Sequence, residues 1–382
     1  MNMDTEVETV KVGVLFSQTG KMAVTENAHI QGVLLACEEV NDAGGIRGRQ
    51  IEPILLNPDG DDQKYAEMAT ELLVVHEVKA IFGSCLSTSR KAVLPLIERF
   101  DGVLFYPSVY EGFEYSPNVI YGGAVPNQMV LPLLDYVFQN HGRRIALVGS
   151  DTLYAREINR IVKEFLDESG GHVVSETYLP FGPEDAAIVK ALDLGAAGQA
   201  DAVLSTVVGE DSVALYDLYA GSSLRTRGVP IASLTTTESE LSKVKRDARA
   251  GHLSVASYFA TLSNQQNERF VAAFNSRYGN DARPSVYSEV AYSLVHFYAN
   301  AAKLSGELDT RSILQALSGA VFKAPGGDLF IDMDTNHFTL RPHVGRSCED
   351  GTFEIVWDSP RVVAPDPYLV AYDRSITEKA AL

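Results

Sequence analysis

Cysteine is scarce in this chain. Its 382 residues include three, Cys37, Cys85 and Cys348. None lies in a C-x-x-C pair, and the odd count argues against a disulfide framework and for a reducing compartment. Positive charge is also short: 32 Lys and Arg against 50 Asp and Glu leave a formal net charge of −18. Nucleic-acid surfaces need clustered cations to displace counterions, so DNA, RNA and anionic membrane faces are disfavoured as partners, and the acidity reads as solubility. Long apolar runs are missing as well. No stretch approaches the roughly 18 apolar residues of a membrane span. The opening MNMDTEVETVKVGVLF is acidic and polar where a secretory leader is basic and then apolar. These features predict a cytoplasmic protein, with a periplasmic one as the alternative if a leader has been removed.

Catalytic signatures are absent too. The chain has no H-E-x-x-H, no G-x-S-x-G and no phosphate-binding loop of the Walker type. Gly44-Gly45-Ile46-Arg47-Gly48 is glycine-rich, but it follows a helical pattern and precedes a strand, the reverse of a dinucleotide fingerprint, so it reads as a turn. His29, His76, His141, His172 and His252 are scattered over helical and loop contexts. Asn336-His337 lies in the tail, far in sequence from any nucleophile. Cys85 opens a helix, where a thiol can be activated, but no base accompanies it. The expectation is a protein that is not an enzyme, with no cofactor and no metal.

What the chain does have is a globular composition, 46% hydrophobic and 21% charged, over a length that suits two domains. Val12 to Phe16 reads as a strand. Ile30, Val33, Leu34 and Cys37 follow the spacing of one buried helix face. Ile51 to Leu56, Ala80 to Gly83 and Val103 to Tyr106 read as further strands, separated by a helix at 65–78 and by the helix face Val93, Leu96, Ile97 and Phe100. The pattern restarts at Ile145 to Gly149, with strands near Val173–Tyr178, Ala202–Ser205 and Ile231–Leu234. Between the two runs, residues 121–132 (YGGAVPNQMVLP) read as a crossing point. Residues 266–279 and 286–304 read as helices, and short strands follow from Gly326. Alternating strands and helices predict an α/β fold of two lobes, each a parallel sheet flanked by helices, with a ligand cleft between them. The expected division is 10–123 plus 257–335 for the first lobe, 124–256 plus 336–372 for the second, and a tail at 373–382.

Open parallel sheets bind ligands beyond the carboxyl ends of their strands. The strand ends are therefore the places to inspect. They carry Gly83-Ser84-Cys85-Leu86-Ser87-Thr88-Ser89, then Tyr106-Pro107-Ser108-Val109-Tyr110, Gly149-Ser150-Asp151-Thr152-Leu153-Tyr154, Ser205-Thr206-Val207-Val208-Gly209 and Thr235-Thr236-Thr237-Glu238. Several of these hydroxyls have helix capping as their ordinary role, with Thr236 or Thr237 evenly balanced between cap and contact. Tyr110 and Tyr115 read as hinge packing. No Arg or Lys stands at a strand end before Arg90. A carboxylate or phosphate usually recruits a cation, so the pattern favours a neutral polar ligand: an amide, urea or polyol. An α-amino acid would also need an acid for its ammonium group, for which Glu238 or Glu111 would serve.

GVLFSQTG, ACEEVNDAGGIRGRQIEPILLNPDGD and, most specifically, YEGFEYSPN together resemble the leucine-type periplasmic-binding-protein superfamily and, within it, the branch that binds amides and urea. The likeness runs from Val12 to Tyr372. STVVG and LTTTE are more similar to the cytoplasmic amide sensors of that branch than to its urea-transport members. The resemblance implies a periplasmic-binding-protein-like fold of type I and a cleft lined by Ser87, Tyr106, Ser108, Tyr154 and Thr206. Cys85 and Thr152 stand where the amide sensor has tyrosines, and Ser108 and Val109 replace its threonine and proline, which enlarges the pocket or makes it more polar. With Thr236 these make the predicted ligand contacts. As a partner the resemblance implies an antiterminator-type regulator of an amidase operon. A homodimer is left open, and the alternative function is the solute-binding component of an ABC transporter for urea, short amides or amino acids.

Overall fold

In the computed structural model, which describes residues 9–370, the chain builds two sheets in succession and then returns to both. The first run is β1 (Val10–Leu15), α1 (Ala23–Asp42), β2 (Ile51–Leu56), α2 (Asp62–Val74), β3 (Ala80–Gly83), α3 (Ser87–Arg99), β4 (Val103–Tyr106) and β5 (Val119–Tyr121). The second is α4 (Pro126–Asn140), β6 (Arg144–Ser150), α5 (Leu153–Ser169), β7 (His172–Leu179), α6 (Asp185–Ala197), β8 (Ala202–Thr206) and α7 (Glu210–Tyr219). Short helices α8 (Ser223–Thr226), α9 (Glu238–Leu241) and α10 (Arg246–Arg249) surround β9 (Ile231–Ser233), and β10 (Leu253–Ala256) follows. The return comprises α11 (Gln265–Tyr278), α12 (Val286–Ser305), α13 (Thr310–Leu317), β11 (Val321–Ala324), β12 (Gly327–Asp332), β13 (His337–Thr339), β14 (His343–Ser347) and β15 (Phe353–Asp358).

One sheet has the order β11-β12-β13-β5-β4-β3-β1-β2 and the other β15-β14-β10-β9-β8-β6-β7. Pairing is parallel from β1 to β5 and from β6 to β10. The antiparallel additions β11–β12 and β14–β15 all come from the return. Parallel strands covered by helices on both faces must be apolar throughout, and β3 and β4 are buried at every residue. The alternating α/β pattern and the strands at Ile51–Leu56, Ala80–Gly83 and Val103–Tyr106 are as expected.

Three differences bear on the hinge. Residues 121–132 are not all crossing: Tyr121 ends a strand and Pro126 opens a helix, because proline suits the first helical turn. The crossing itself is Gly122 to Val125. At Gly123 a Cβ atom would overlap the carbonyl oxygen of Ser108, so only glycine lets the crossing run against that loop. Finally, β13 pairs with β12 and β5 in the first sheet, a few residues beyond the expected boundary at 335. The expected tail at 373–382, and Tyr372 at the end of the resemblance, lie outside the described residues.

The chain thus passes between the sheets at three places: after β5, after β10 and between β13 and β14. These three crossings make up the hinge between the two sheets.

Candidate functional site

The loops after β1, β3, β4, β6, β8 and β9 meet in one cavity between the lobes. Its empty volume is about 430 Å³ counting the open mouth. Cys85, Ser87, Ser108, Thr152 and Tyr154 line it as the sequence predicts, with Val109 beside them. Met22, Thr25, Leu86, Val208, Gly209, Thr235 and Tyr287 complete the wall.

Three predicted residues are not part of that wall. Tyr106 is fully buried, and its hydroxyl donates to the Cys85 carbonyl at 2.6 Å. It anchors the Cys85 loop and is not among the residues that line the cavity. Thr206 is also fully buried beneath Gly149, with its Oγ1 3.4 Å from Asn159 Oδ1. Thr236 turns back to accept from Ser233 Oγ at 2.9 Å and lines an adjoining cavity at the hinge. Thr237, not Thr236, caps α9, in a capping box with Glu240.

The residues missed have two origins. Met22 and Thr25 follow β1, a strand end to which the same rule applies equally well. Tyr287 opens α12, on the return, and no local pattern announces that this helix end reaches the cleft.

The hydrogen bonds fix which way each hydroxyl points its proton. Ser87 Oγ donates to Glu111 Oε2 at 2.5 Å, while Arg90 Nη2 lies 3.2 Å from Glu111 Oε1. Arg90 is fully buried, stacks over Tyr106 and Tyr110, and pairs with Glu114 at 2.7 Å. Arg90 thus gives each of the two carboxylates a charged hydrogen-bond donor. Thr235 Oγ1 donates to the Val207 carbonyl at 2.8 Å. Ser87 and Thr235 therefore offer lone pairs, not protons, to anything in the cavity. Thr152 is the reverse: its Oγ1 accepts from Ala155 N–H at 3.2 Å as the cap of α5, leaving its proton free. The Tyr154 hydroxyl is buried with no protein partner, a group whose cost is removed only by a bound molecule or water.

The lobes touch directly around this cavity. Thr25 Oγ1 lies 2.9 Å from Glu240 Oε1, the Tyr287 hydroxyl donates to the Thr235 carbonyl at 3.0 Å, and Glu210 N–H donates to the Lys21 carbonyl at 3.0 Å. At Gly209 a Cβ atom would overlap that same Lys21 carbonyl. The arrangement is a closed one.

Catalytic assignments fare poorly here. Burial pushes the Cys85 thiol well above its ordinary range. Ser108 Oγ lies 3.3 Å from His29 Nε2, but burial lowers His29 to about 3, and its ring stacks on Phe16 instead of being oriented by an acid. A general base needs a pKa near the working pH. Among the described residues no group of His, Cys, Asp and Glu is arranged to hold a metal ion.

Known proteins share both the sequence and the architecture. A Leu/Ile/Val-binding protein homolog of Brucella melitensis is 23% identical over 91% of this chain and 90% of its own length. A limonene hydroxylase of Geobacillus stearothermophilus is 31% identical over 120 residues, covering only 31% of this chain and 22% of that protein. Among solved structures, the branched-chain amino acid transporter substrate-binding protein LivJ of Streptococcus pneumoniae, in complex with isoleucine, has a TM-score of 0.81 at 21% identity, covering 94% of this chain and all (100%) of that one. A solute-binding protein of an ABC transporter from Rhodopseudomonas palustris, in complex with 3,4-dihydroxybenzoic acid, has a TM-score of 0.80 at 20% identity, covering 92% and 99%. At these identities the structural likeness is one of fold. With the family model for the periplasmic binding protein domain matching residues 10–374, the chain belongs to that family.

Proposed function

We propose that this protein is the solute-binding component of an ABC-type importer, acting in the periplasm, and that its cleft captures a small solute whose polar end donates hydrogen bonds. The observation that carries the solute class is the commitment of the Ser87 and Thr235 protons to Glu111 and to the Val207 carbonyl. Two acceptors facing one small cavity suit an amide NH₂, a urea or an ammonium group. Thr152 and Tyr154 supply donors for a carbonyl or carboxylate oxygen at the other end. Short amides, urea and amino acids satisfy both ends, whereas benzoate brings only acceptors. Glu111 serves an ammonium through Ser87, not directly, and Glu238 donates nothing to the cavity wall.

The role as an importer component replaces the expected role as a regulator. The relatives support it, being binding proteins and transporter components, while the antiterminator partner rests on the amide-sensor resemblance alone. The amide chemistry of that resemblance is retained, because the acceptor pair favours it. The protein acts by closure, not by turnover: a ligand that touches both lobes stabilises the closed state by its differential affinity.

A thermal-shift panel of acetamide, urea, leucine, isoleucine and benzoate tests the reading. A saturating ligand raises the melting temperature by mass action. We expect shifts from the donor-bearing compounds and none from benzoate, with no ammonia released from the amides. A shift from benzoate alone, or hydrolysis of an amide, would overturn it.

A further inference from the structure

A separate cavity lies at the hinge, on the other side of the first turn of α12. Tyr287 reaches the ligand cleft, and Glu289, two residues on, lines this second space. Its empty volume is about 1050 Å³ counting the mouth. Ser257 belongs to the second crossing between the lobes and Arg341 to the third, so the cavity straddles the hinge itself.

Its walls are polar and unevenly charged. Glu289, Asp328 and Asp358 face a single fixed cation, Arg341. Arg341 is already engaged, its Nε donating to the Ser359 carbonyl at 2.7 Å and lying 3.5 Å from Asp358 Oδ1. Glu289 is 2% exposed, and its Oε1 accepts from Gly326 N–H and from Ser293 Oγ, each at 3.2 Å. His343 is 3% exposed. Its Nδ1 lies 2.7 Å from Asp358 Oδ1, a close contact without hydrogen-bond alignment, and its Nε2 is buried with no partner. Burial lowers His343 despite the neighbouring Asp358, which favours the neutral imidazole, a form that keeps one nitrogen as an acceptor. Burial raises the Glu289 carboxyl to about 7, and this buried acid beside an imidazole nitrogen without a partner is costly unless something fills the cavity.

The occupant's chemistry follows. The walls offer acceptors and negative charge, so the occupant brings donors and positive charge. Among the described residues no group of acidic and imidazole ligands is arranged to hold a metal ion, so the occupant is larger than a bare ion. We propose that this hinge cavity is a second binding site, for a small organic cation bearing ammonium N–H donors. Glu289 receives it from the first lobe, and His343 and Asp358 hold it from the second. Because Glu289 shares a helical turn with Tyr287, such an occupant ties the two lobes together at the hinge and favours closure at the cleft.

Butane-1,4-diamine is a suitable probe, titrated by calorimetry into the full-length protein at constant ionic strength with magnesium chloride as competitor. The expected result is saturable one-to-one binding, weakened at least tenfold by Glu289→Gln, which keeps an acceptor for Gly326 N–H, and about threefold by Asp328→Asn at the exposed rim. Diamine-saturated protein should then bind its cleft solute more tightly than untreated protein. Absence of saturable binding, unchanged affinity in both variants, or displacement by equimolar magnesium would overturn the proposal.

Discussion

Ser87 Oγ and Glu111 Oε2 are 2.5 Å apart, and the other oxygen of that carboxylate lies 3.2 Å from Nη2 of the buried Arg90. This pair sets the polarity of the cleft: a hydroxyl that usually both gives and takes is left able only to take. Ser87→Ala removes the acceptor without disturbing the Arg90–Glu114 pair. We expect the affinity for the cleft solute to fall about tenfold, equivalent to about 1.4 kcal/mol, with the melting temperature of the free protein nearly unchanged. Isothermal titration beside a melting curve separates the two.

Arg90 itself is a different kind of residue. It contacts Glu111 and Glu114 and sits over two tyrosine rings. Arg90→Met leaves two carboxylates in the interior without their cation. Breaking one side of a buried ion pair costs about 3–5 kcal/mol, so this variant should unfold at clearly lower denaturant concentration even though it never touches the solute.

Closure depends on contacts across the cleft. Thr25→Val removes the hydrogen bond to Glu240 while keeping the shape of the side chain. At about 1 kcal/mol for such a bond, the closed population should fall about fivefold relative to the open one. Small-angle scattering of the free protein should show a larger radius of gyration than wild type, and saturating solute should restore it.

Stability should fall as pH rises through neutrality. Burial raises Glu238 to about 8 and Glu26 to about 7, both from 4.5. A carboxyl raised in the folded state binds its proton more tightly there than in the unfolded chain. Its contribution is therefore fully present below about pH 4.5 and is lost between there and the folded value. Melting temperatures between pH 6.5 and pH 8, above the range in which the buried histidines gain stability with rising pH, should decline, and Glu238→Gln should flatten that decline. A curve rising over that interval would contradict the assignment.

Much of this was legible in the sequence because its causes are local. The apolar strands after Ile51, Ala80 and Val103 are bounded by turn residues, and parallel pairing buries them whole. That Cys85, Ser87, Ser108, Thr152 and Tyr154 line the cavity follows from where a parallel sheet ends. What was not legible depends on direction or on distant chain. Thr235 and Thr236 are neighbours of the same type, yet a bond to Val207 holds one at the cleft while a bond from Ser233 turns the other to the hinge. Tyr106 ends its strand as Ser87 begins its helix, but its hydroxyl is spent on Cys85. Tyr287 arrives only after the chain has built both sheets and crossed back. Placing β13 in the first sheet depends on its pairing with Tyr121, more than two hundred residues earlier in the chain.

The central claim is that the cleft accepts hydrogen bonds from its solute at Ser87 and Thr235. Acetamide and acetate have nearly the same shape and differ at one position, a donor NH₂ against an acceptor oxygen. Their dissociation constants, measured by calorimetry at one pH and salt concentration, test the claim directly. The account predicts that acetamide binds at least tenfold more tightly than acetate and that Ser87→Ala narrows the gap. Acetate binding as tightly as acetamide, or more so, would contradict it.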